Sequence, residues 1–204
     1  MLNIRLDMKN LFAESLIRTL KSEDYVSDSF KGYSVKDIIE FLEFSHQRFI
    51  NESIPKIEQN FLLLIKYFEG NNELSTLFKL FLKFQVDFIN HIEIEEKTIF
   101  PYSKTLYQAS VSNSIEAILL IHFSEYSVSV FSNSHKNNEQ YLTEIIFMLI
   151  KQDNLKNHPV YNILLKQICS FDNEIKTHGW LEDNVLVEKV EEIERAISIF
   201  INQG

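Results

Sequence analysis

The sequence predicts an all-α fold: an antiparallel up-down four-helix bundle with a short N-terminal helix and a C-terminal helical extension. Apolar residues recur at a spacing of three and four along nearly the whole chain, which is the period of amphipathic helices. Four glycines and three prolines in 204 residues are too few for the turns of a β-sandwich or barrel. Short loops between four long helical stretches are typical of an up-down bundle.

The length favours one domain, with residues 1–33 as an N-terminal helix and loop and residues 34–204 as the bundle with its C-terminal helix. Residues 9–21 have a short amphipathic pattern, and a polar loop follows. Ser34, with Asp37 three residues later, is a variant of the capping box and predicts the start of the first long helix. That helix should run to about Glu69 with a kink at Pro55.

The turn at 70–72 (Gly-Asn-Asn) predicts the start of the second long helix, at 73–99, which Pro101 should end. The third should begin near Ser114, break at 132–138 and resume over 139–151. The fourth should begin at Pro159 and reach Glu182. A last amphipathic helix is expected at about 185–201. Each of the four long helices has an apolar stripe that is expected to face the core. The stripes are Ile39, Leu42, His46, Phe49, Ile50, Ile57 and Phe61 in the first helix; Phe84, Phe88, His91, Glu95 and Ile99 in the second; Ile118, Leu119, His122, Tyr126 and Val130 in the third; and Leu164, Ile168, Phe171, Ile175, His178 and Glu182 in the fourth.

Charge and composition exclude several classes of protein. The net charge is −9 and the basic residues do not cluster, so we expect neither a nucleic acid nor a membrane as a partner. No apolar run has the length of a signal peptide or a membrane span. A single cysteine, Cys169, excludes internal disulfides and cysteine-only metal sites. We therefore expect a cytoplasmic protein.

Four of the six histidines fall in the apolar stripes of four separate helices: His46, His91, His122 and His178. Two of them are followed four residues later by a glutamate, as His91 with Glu95 and His178 with Glu182. This spacing places an imidazole and a carboxylate on one face of a helix. The other two histidines, His135 and His158, are expected to face solvent in loops.

Helix lengths allow the four histidines to meet at one depth of the core. His46 and His91 lie about 36 Å and 29 Å from the turn at 70–72, and His178 lies about 29 Å into its own helix. A single histidine in an apolar stripe is usually an ordinary core residue, so a purely structural bundle is one interpretation. Two buried carboxylates cost several kcal/mol unless they are paired or bind a metal. Imidazole and carboxylate ligands suit iron, manganese or zinc, and six ligands suit a site with two metal ions.

The chain resembles the hemerythrin-like (HHE cation-binding) domain family, and within it the di-iron proteins linked to repair of iron–sulfur centres. The resemblance covers about residues 34–188, and the block from His91 to Pro101 is its most specific part. The segments that carry it are Ser45-His46-Gln47-Arg48-Phe49, Ile54-Pro55, His91-x-x-x-Glu95-Glu96-x-x-Ile99-Phe100-Pro101, Ile121-His122 and His178-x-x-x-Glu182-Asp183-Asn184-x-Leu186.

The resemblance implies two non-haem iron ions, which zinc or manganese can replace in a recombinant sample. It makes the four histidines terminal ligands and the two glutamates bridging ligands. The implied function is handling of O2, NO or peroxide, or iron donation, under oxidative or nitrosative stress. An iron–sulfur protein is then a possible partner. The alternative is a di-iron-dependent sensor that signals through a protein partner.

The sequence departs from this family at two places. Oxygen-carrying hemerythrins have a second histidine four residues after the ligand of the third helix, where this chain has Tyr126. We therefore expect an open coordination position with Tyr126 beside it, which argues against reversible oxygen carriage. Glu43 is expected to support His46 from behind the metal ligands. Residues 1–33 contain no cysteine, unlike the N-terminal module of many iron-centre repair proteins.

Overall fold

A computed structural model describes residues 30, 32–112, 128 and 136–203 of the chain. All regular secondary structure in these residues is helical, which confirms the prediction of an all-α protein. The α-helices are α1 (Val35–Arg48), α2 (Ile54–Tyr67), α3 (Asn72–Ile94), α4 (Phe100–Ser112), α5 (Lys136–Ile150), α6 (Pro159–Leu181) and α7 (Val187–Gln203). Three π-helical segments, π1 (Phe49–Ser53), π2 (Glu95–Ile99) and π3 (Glu182–Leu186), join α1 to α2, α3 to α4 and α6 to α7.

The predicted capping box is present at the start of α1. The backbone N–H of Ser34 donates to Asp37 Oδ2 at 3.1 Å, and the backbone N–H of Asp37 donates to Ser34 Oγ at 3.2 Å. Each side chain therefore binds the other's backbone donor, as in a standard capping box. The Ser34 hydroxyl also donates to the same carboxylate oxygen at 2.6 Å.

Pro101 does not end the second long helix, and this part of the prediction was wrong. The chain passes through π2 and continues as α4, with Pro101 as the second residue of α4. Pro55 is likewise the second residue of α2, directly after π1. Proline is tolerated in the first turn of a helix, where its missing N–H and fixed φ cost little. The helical run therefore continues past both prolines.

The turn between α2 and α3 forms where the sequence predicts it. Gly70 has a φ of 85°, a left-handed conformation that favours glycine. The next residue, Asn71, caps α3, because its Oδ1 accepts the backbone N–H of Leu74 at 3.0 Å. The observed helix begins at Asn72, within one residue of the predicted start.

Helices α6 and α7 belong to one helical run, joined by π3, instead of being separated as predicted. The predicted start at Pro159 is confirmed. Tyr161, 2% exposed, donates its hydroxyl to the carbonyl of Leu149 at 2.9 Å, which ties the start of α6 to the end of α5. The predicted N-terminal helix at 9–21, the start of the third long helix near residue 114, and His122, Tyr126 and His135 lie outside the described residues.

The described residues group into two compact units. Unit 1 draws on residues 1–43, 94–134 and 177–204, and unit 2 on residues 44–93 and 135–176. Unit 1 has a core of aliphatic and aromatic side chains that includes Ile38, Leu42, Phe100, Leu106, Leu186 and Val190. Unit 2 has its own core, rich in phenylalanine, in which Phe171 meets the rings of Phe49, Phe84 and Phe88 with centroids 5.5–6.2 Å apart.

Most of the predicted stripes are buried as expected. Phe84, Phe88, Glu95 and Ile99 of the second stripe are buried, as is the whole stripe from Leu164 to Glu182 in α6 and π3. Among the described stripe residues the exceptions are Ile50 and His91, which are half-buried, and the predicted stripe from Ile118 to Val130 lies outside the described residues. Among the described residues, no helix is long and apolar enough to cross a membrane.

Candidate metal centre

Four of the predicted ligands come together in the structure. His46, Glu95, His178 and Glu182 each offer one nitrogen or carboxylate oxygen, and these four atoms all lie within 4.8 Å of one another. The side chains are nearly inaccessible to solvent, with exposures of 0% for His46, 1% for Glu95, 5% for His178 and 1% for Glu182. The group therefore has the residue types, the spacing and the burial of a metal site.

Local helix geometry explains how two of these side chains meet. His178 lies in α6 and Glu182 opens π3 one turn later, so both are on the same face. Nε2 of His178 is 3.2 Å from Oε1 of Glu182. This pair is one of the two that the sequence predicts from a spacing of four residues. The imidazole and the carboxylate are thus already at the separation of neighbouring ligands.

Both glutamates are the first residues of π-helical segments. The N–H of Phe100 donates to the carbonyl of Glu95, and the N–H of Val187 donates to the carbonyl of Glu182, in each case across five residues. In an α-helix, residues five apart point about 140° away from each other. Here Glu95 and Phe100 are both buried, as are Glu182 and Val187. The wider turn therefore lets a carboxylate and the residue five positions later face inward together, and such turns are frequent at functional sites.

The burial of charge around this group is unusual. The acidic, basic and histidine residues that are buried in the described part of the chain are His46, Glu95, Asp172, His178 and Glu182, with no lysine or arginine among them. Asp172 lies near the protein surface and pairs with Lys176 at 2.6 Å. Two imidazoles and two carboxylates are donors that iron, manganese and zinc accept. The residues present therefore fit a first-row transition metal.

Among the described residues, two further predicted site residues, His91 and Glu43, lie outside the group of four. His91 is half-buried and does not belong to the group of four, although it lies one turn before Glu95. The buried residue at that turn is Ile92, 2% exposed. Glu43 forms an ion pair with Lys104, with Oε1 and Nζ 2.6 Å apart. His122 and Tyr126 lie outside the described residues, so their roles as ligand and neighbour stay predictions.

Small polar residues and one large aromatic residue lie next to these ligands in the chain. Ser45 precedes His46 and Thr177 precedes His178, and both are buried. Trp180, between His178 and Glu182, is partly buried and packs against the core of unit 1. Asn184 Nδ2 donates to the carbonyl of Trp180 at 3.0 Å. The Asn184 side chain thus donates a hydrogen bond to a backbone carbonyl where α6 passes into π3.

Two titratable residues outside the group have structural roles. The imidazole of His158 is half-buried against the rings of Tyr67 and Phe68, at centroid distances of 4.6 Å and 5.3 Å, which differs from the predicted solvent-facing loop position. Burial raises the pKa of the Cys169 thiol, and the charge of Asp172 raises it further while Lys176 lowers it. Neither residue belongs to the metal group.

No protein-family model, curated protein or solved structure matches this chain.

Proposed function

We propose that the chain is a non-haem di-iron protein of the hemerythrin-like type, built as an antiparallel up-down bundle. It would handle O2, NO or peroxide, or donate iron, in cells under oxidative or nitrosative stress. The observation that carries this proposal is the buried group of two imidazoles and two carboxylates within 4.8 Å. The single cysteine, Cys169, supports a cytoplasmic location.

His46, Glu95, His178 and Glu182 would hold the metal, and the second iron would need His91 and His122 in addition. When bound, non-haem iron would supply redox chemistry and open coordination positions for a small ligand. The protein contributes ligand side chains that are nearly inaccessible to water. His178 and Glu182 are positioned by one turn of helix, and Glu95 is aimed inward by π2.

Four ligands alone also suit a single tetrahedral zinc ion, so metal stoichiometry is the decisive measurement. Protein purified from iron-replete cells should contain close to two irons per chain. The variants Glu95→Ala and Glu182→Ala should lose most of the metal. The matched control is His158→Ala, since His158 is a half-buried histidine outside the group. A reproducible single ion per chain would contradict the di-iron assignment, and metal-free protein from these cells would contradict the metal site itself.

Reactivity distinguishes handling of small molecules from a purely structural metal. Anaerobic Fe(II) protein should change its ultraviolet-visible spectrum when O2, NO or peroxide is added, and reductant should reverse the change caused by O2. The variant Tyr126→Phe then tests whether the phenol lies beside the open position. We expect an unchanged iron content with faster autoxidation or altered NO binding. A spectrum insensitive to all three small molecules would contradict the proposed function.

A further inference from the structure

The three π-helical segments share one pattern of burial and hydrogen bonding. Each buries its first residue together with the residue five positions later: Phe49 with Ile54, Glu95 with Phe100, and Glu182 with Val187. In each case the N–H of the later residue donates to the carbonyl of the first. Each segment therefore rotates the buried face of the helix between its two ends.

Two of the three segments have a proline at the second residue after their end. The N–H of Ile54 closes π1 and Pro55 comes next, and the N–H of Phe100 closes π2 and Pro101 comes next. The residue after the closing N–H of π3 is Glu188. The chain has three prolines in all, so two of them occupy the equivalent position behind a π turn.

The chemistry of proline explains this placement. In a continuous α-helix Pro101 would lack the N–H that bonds the carbonyl four residues earlier, and its ring would clash with that carbonyl. Starting a new α-helix at Phe100 places Pro101 in a first turn, where both penalties are small. The carbonyl of Ile94, just before π2, accepts the hydroxyl of Thr98 at 2.5 Å. The π turn is thus the low-cost register at this position.

The hydrogen-bonding register of residues 95–100, π-helical or α-helical, decides which glutamate faces inward. In the π register Glu95 is 1% exposed, while its neighbour Glu96 is half-buried and Phe100 is fully buried. If residues 95–100 were α-helical with Phe100 still in the core of unit 1, the inward positions of the preceding turn would be Glu96 and Lys97. Glu95 would then point away from the group that contains His178 and Glu182.

We propose that Pro101 is a positioning residue for the metal site, because it disfavours the α-helical register and so keeps the Glu95 carboxylate turned inward. This inference rests on the proposed function only for its metal-binding consequence. The orientation of residue 95 is a property of the protein without metal. The two parts can therefore be tested separately.

The first experiment uses thiol labelling of metal-free protein. In a Cys169→Ser background, Glu95→Cys should react slowly with a maleimide and Glu96→Cys should react faster. Adding Pro101→Ala should accelerate labelling at position 95 at least tenfold and slow it at position 96. Adding Pro159→Ala, at the start of α6, should change neither rate. Unchanged rates in both Pro101→Ala variants would overturn the inference.

The second experiment uses Co(II) as a spectroscopic probe of the site. The parent is the Cys169→Ser protein, in which all the metal ligands are unaltered. Pro101→Ala should weaken Co(II) binding at least tenfold and change the visible absorption of the bound ion, while Pro159→Ala should match the parent. Circular dichroism melts of the metal-free variants check that both are folded. Equal affinity and equal spectra for Pro101→Ala and the parent would overturn the inference. A labelling switch in a protein whose parent binds no Co(II) would support the positioning role and contradict the proposed function.

Discussion

Glu95 and Glu182 set the energetic problem at this site. Each is 1% exposed, and moving a carboxylate out of water costs several kcal/mol even after relaxation. Nε2 of His178 lies 3.2 Å from Glu182, so part of this cost is offset within one turn of helix. A divalent cation bound by both carboxylates would offset more of it, because its charge acts in a region with little water. The site is thus arranged to gain more from a metal than an exposed cluster would.

The thiol of Cys169 should react slowly with alkylating agents. Burial raises its pKa, so at pH 8 a smaller fraction is thiolate than in an unfolded chain, and the thiolate is the nucleophile. We expect iodoacetamide to modify the native protein more slowly than the guanidinium-denatured protein at the same pH. The alkylation rate of the native protein should begin to rise at a higher pH than the alkylation rate of the denatured protein. Equal rates and equal pH profiles would contradict this.

The hydroxyl of Tyr161 should contribute measurably to stability. Its phenol is 2% exposed and donates to the carbonyl of Leu149 at 2.9 Å. Tyr161→Phe removes this buried hydrogen bond, while the same carbonyl keeps the backbone N–H of Gln152 at 3.0 Å. The expected loss is about 1 kcal/mol of unfolding free energy in urea denaturation. Tyr67→Phe is the matched control, because Tyr67 is 65% exposed. An equal effect of both substitutions would assign the loss to something other than the buried hydrogen bond.

At the scale of elements, local signals could be predicted and changes of register could not. The capping box at Ser34 and the turn at Gly70 depend on contacts within three or four residues, and both formed as predicted. The π turns violate the 3.6-residue period from which the stripes were derived. Pro101 was the one signal of the second π turn, and it was interpreted as a helix end.

The candidate site likewise contains a pair of residues that could be predicted from the sequence and a position that could not. The pairing of His178 with Glu182 follows from a spacing of four on one helix, and the structure brings both to His46 and Glu95. His91 has the same spacing from Glu95, yet Ile92 takes the buried position at that turn. An apolar stripe with spacings of three and four allows either neighbour to face inward. Ile92 belongs to the phenylalanine-rich core of unit 2 together with Phe84 and Phe88, and the sequence alone does not specify which neighbour joins that core.

The turn between α2 and α3 should be sensitive to a side chain. Gly70 has a φ of 85°, and an L residue in the left-handed region costs roughly 1–2 kcal/mol. Gly70→Ala should therefore lower the unfolding free energy by about 1 kcal/mol, although no atom lies within 4 Å of the added Cβ. Gly32→Ala is the control, with equal space and no left-handed φ. If both variants unfold at the same urea concentration, backbone strain at Gly70 is refuted.

At the scale of the whole molecule, metal binding and folding should be linked. Ligands that are far apart in sequence, such as His46 and Glu182, come together only in the folded chain, so metal should bind the folded state preferentially. A metal present at a hundred times its dissociation constant adds about 2.7 kcal/mol. For a chain of this length the thermal midpoint should rise by roughly 5–10 °C.

Differential scanning calorimetry with anaerobic Fe(II) tests this linkage. The midpoint should rise for the parent and for His158→Ala, and it should stay at the metal-free value for Glu182→Ala. Equal midpoints of the parent with and without bound iron would contradict a site formed by folding. A rise that is retained in Glu182→Ala would place the metal elsewhere in the molecule.

Trp180 gives this protein a built-in optical reporter. It is the one tryptophan of the chain, and it lies between His178 and Glu182 in sequence. Its indole is partly buried against the core of unit 1, so its environment is fixed by the same turn of helix that carries the two ligands. Emission excited at the red edge of tryptophan absorption therefore comes from one fluorophore, which is two residues from each of these ligands in sequence. Quenching of that emission by a paramagnetic ion, and its recovery on chelation, can follow loading of the unmodified protein in real time.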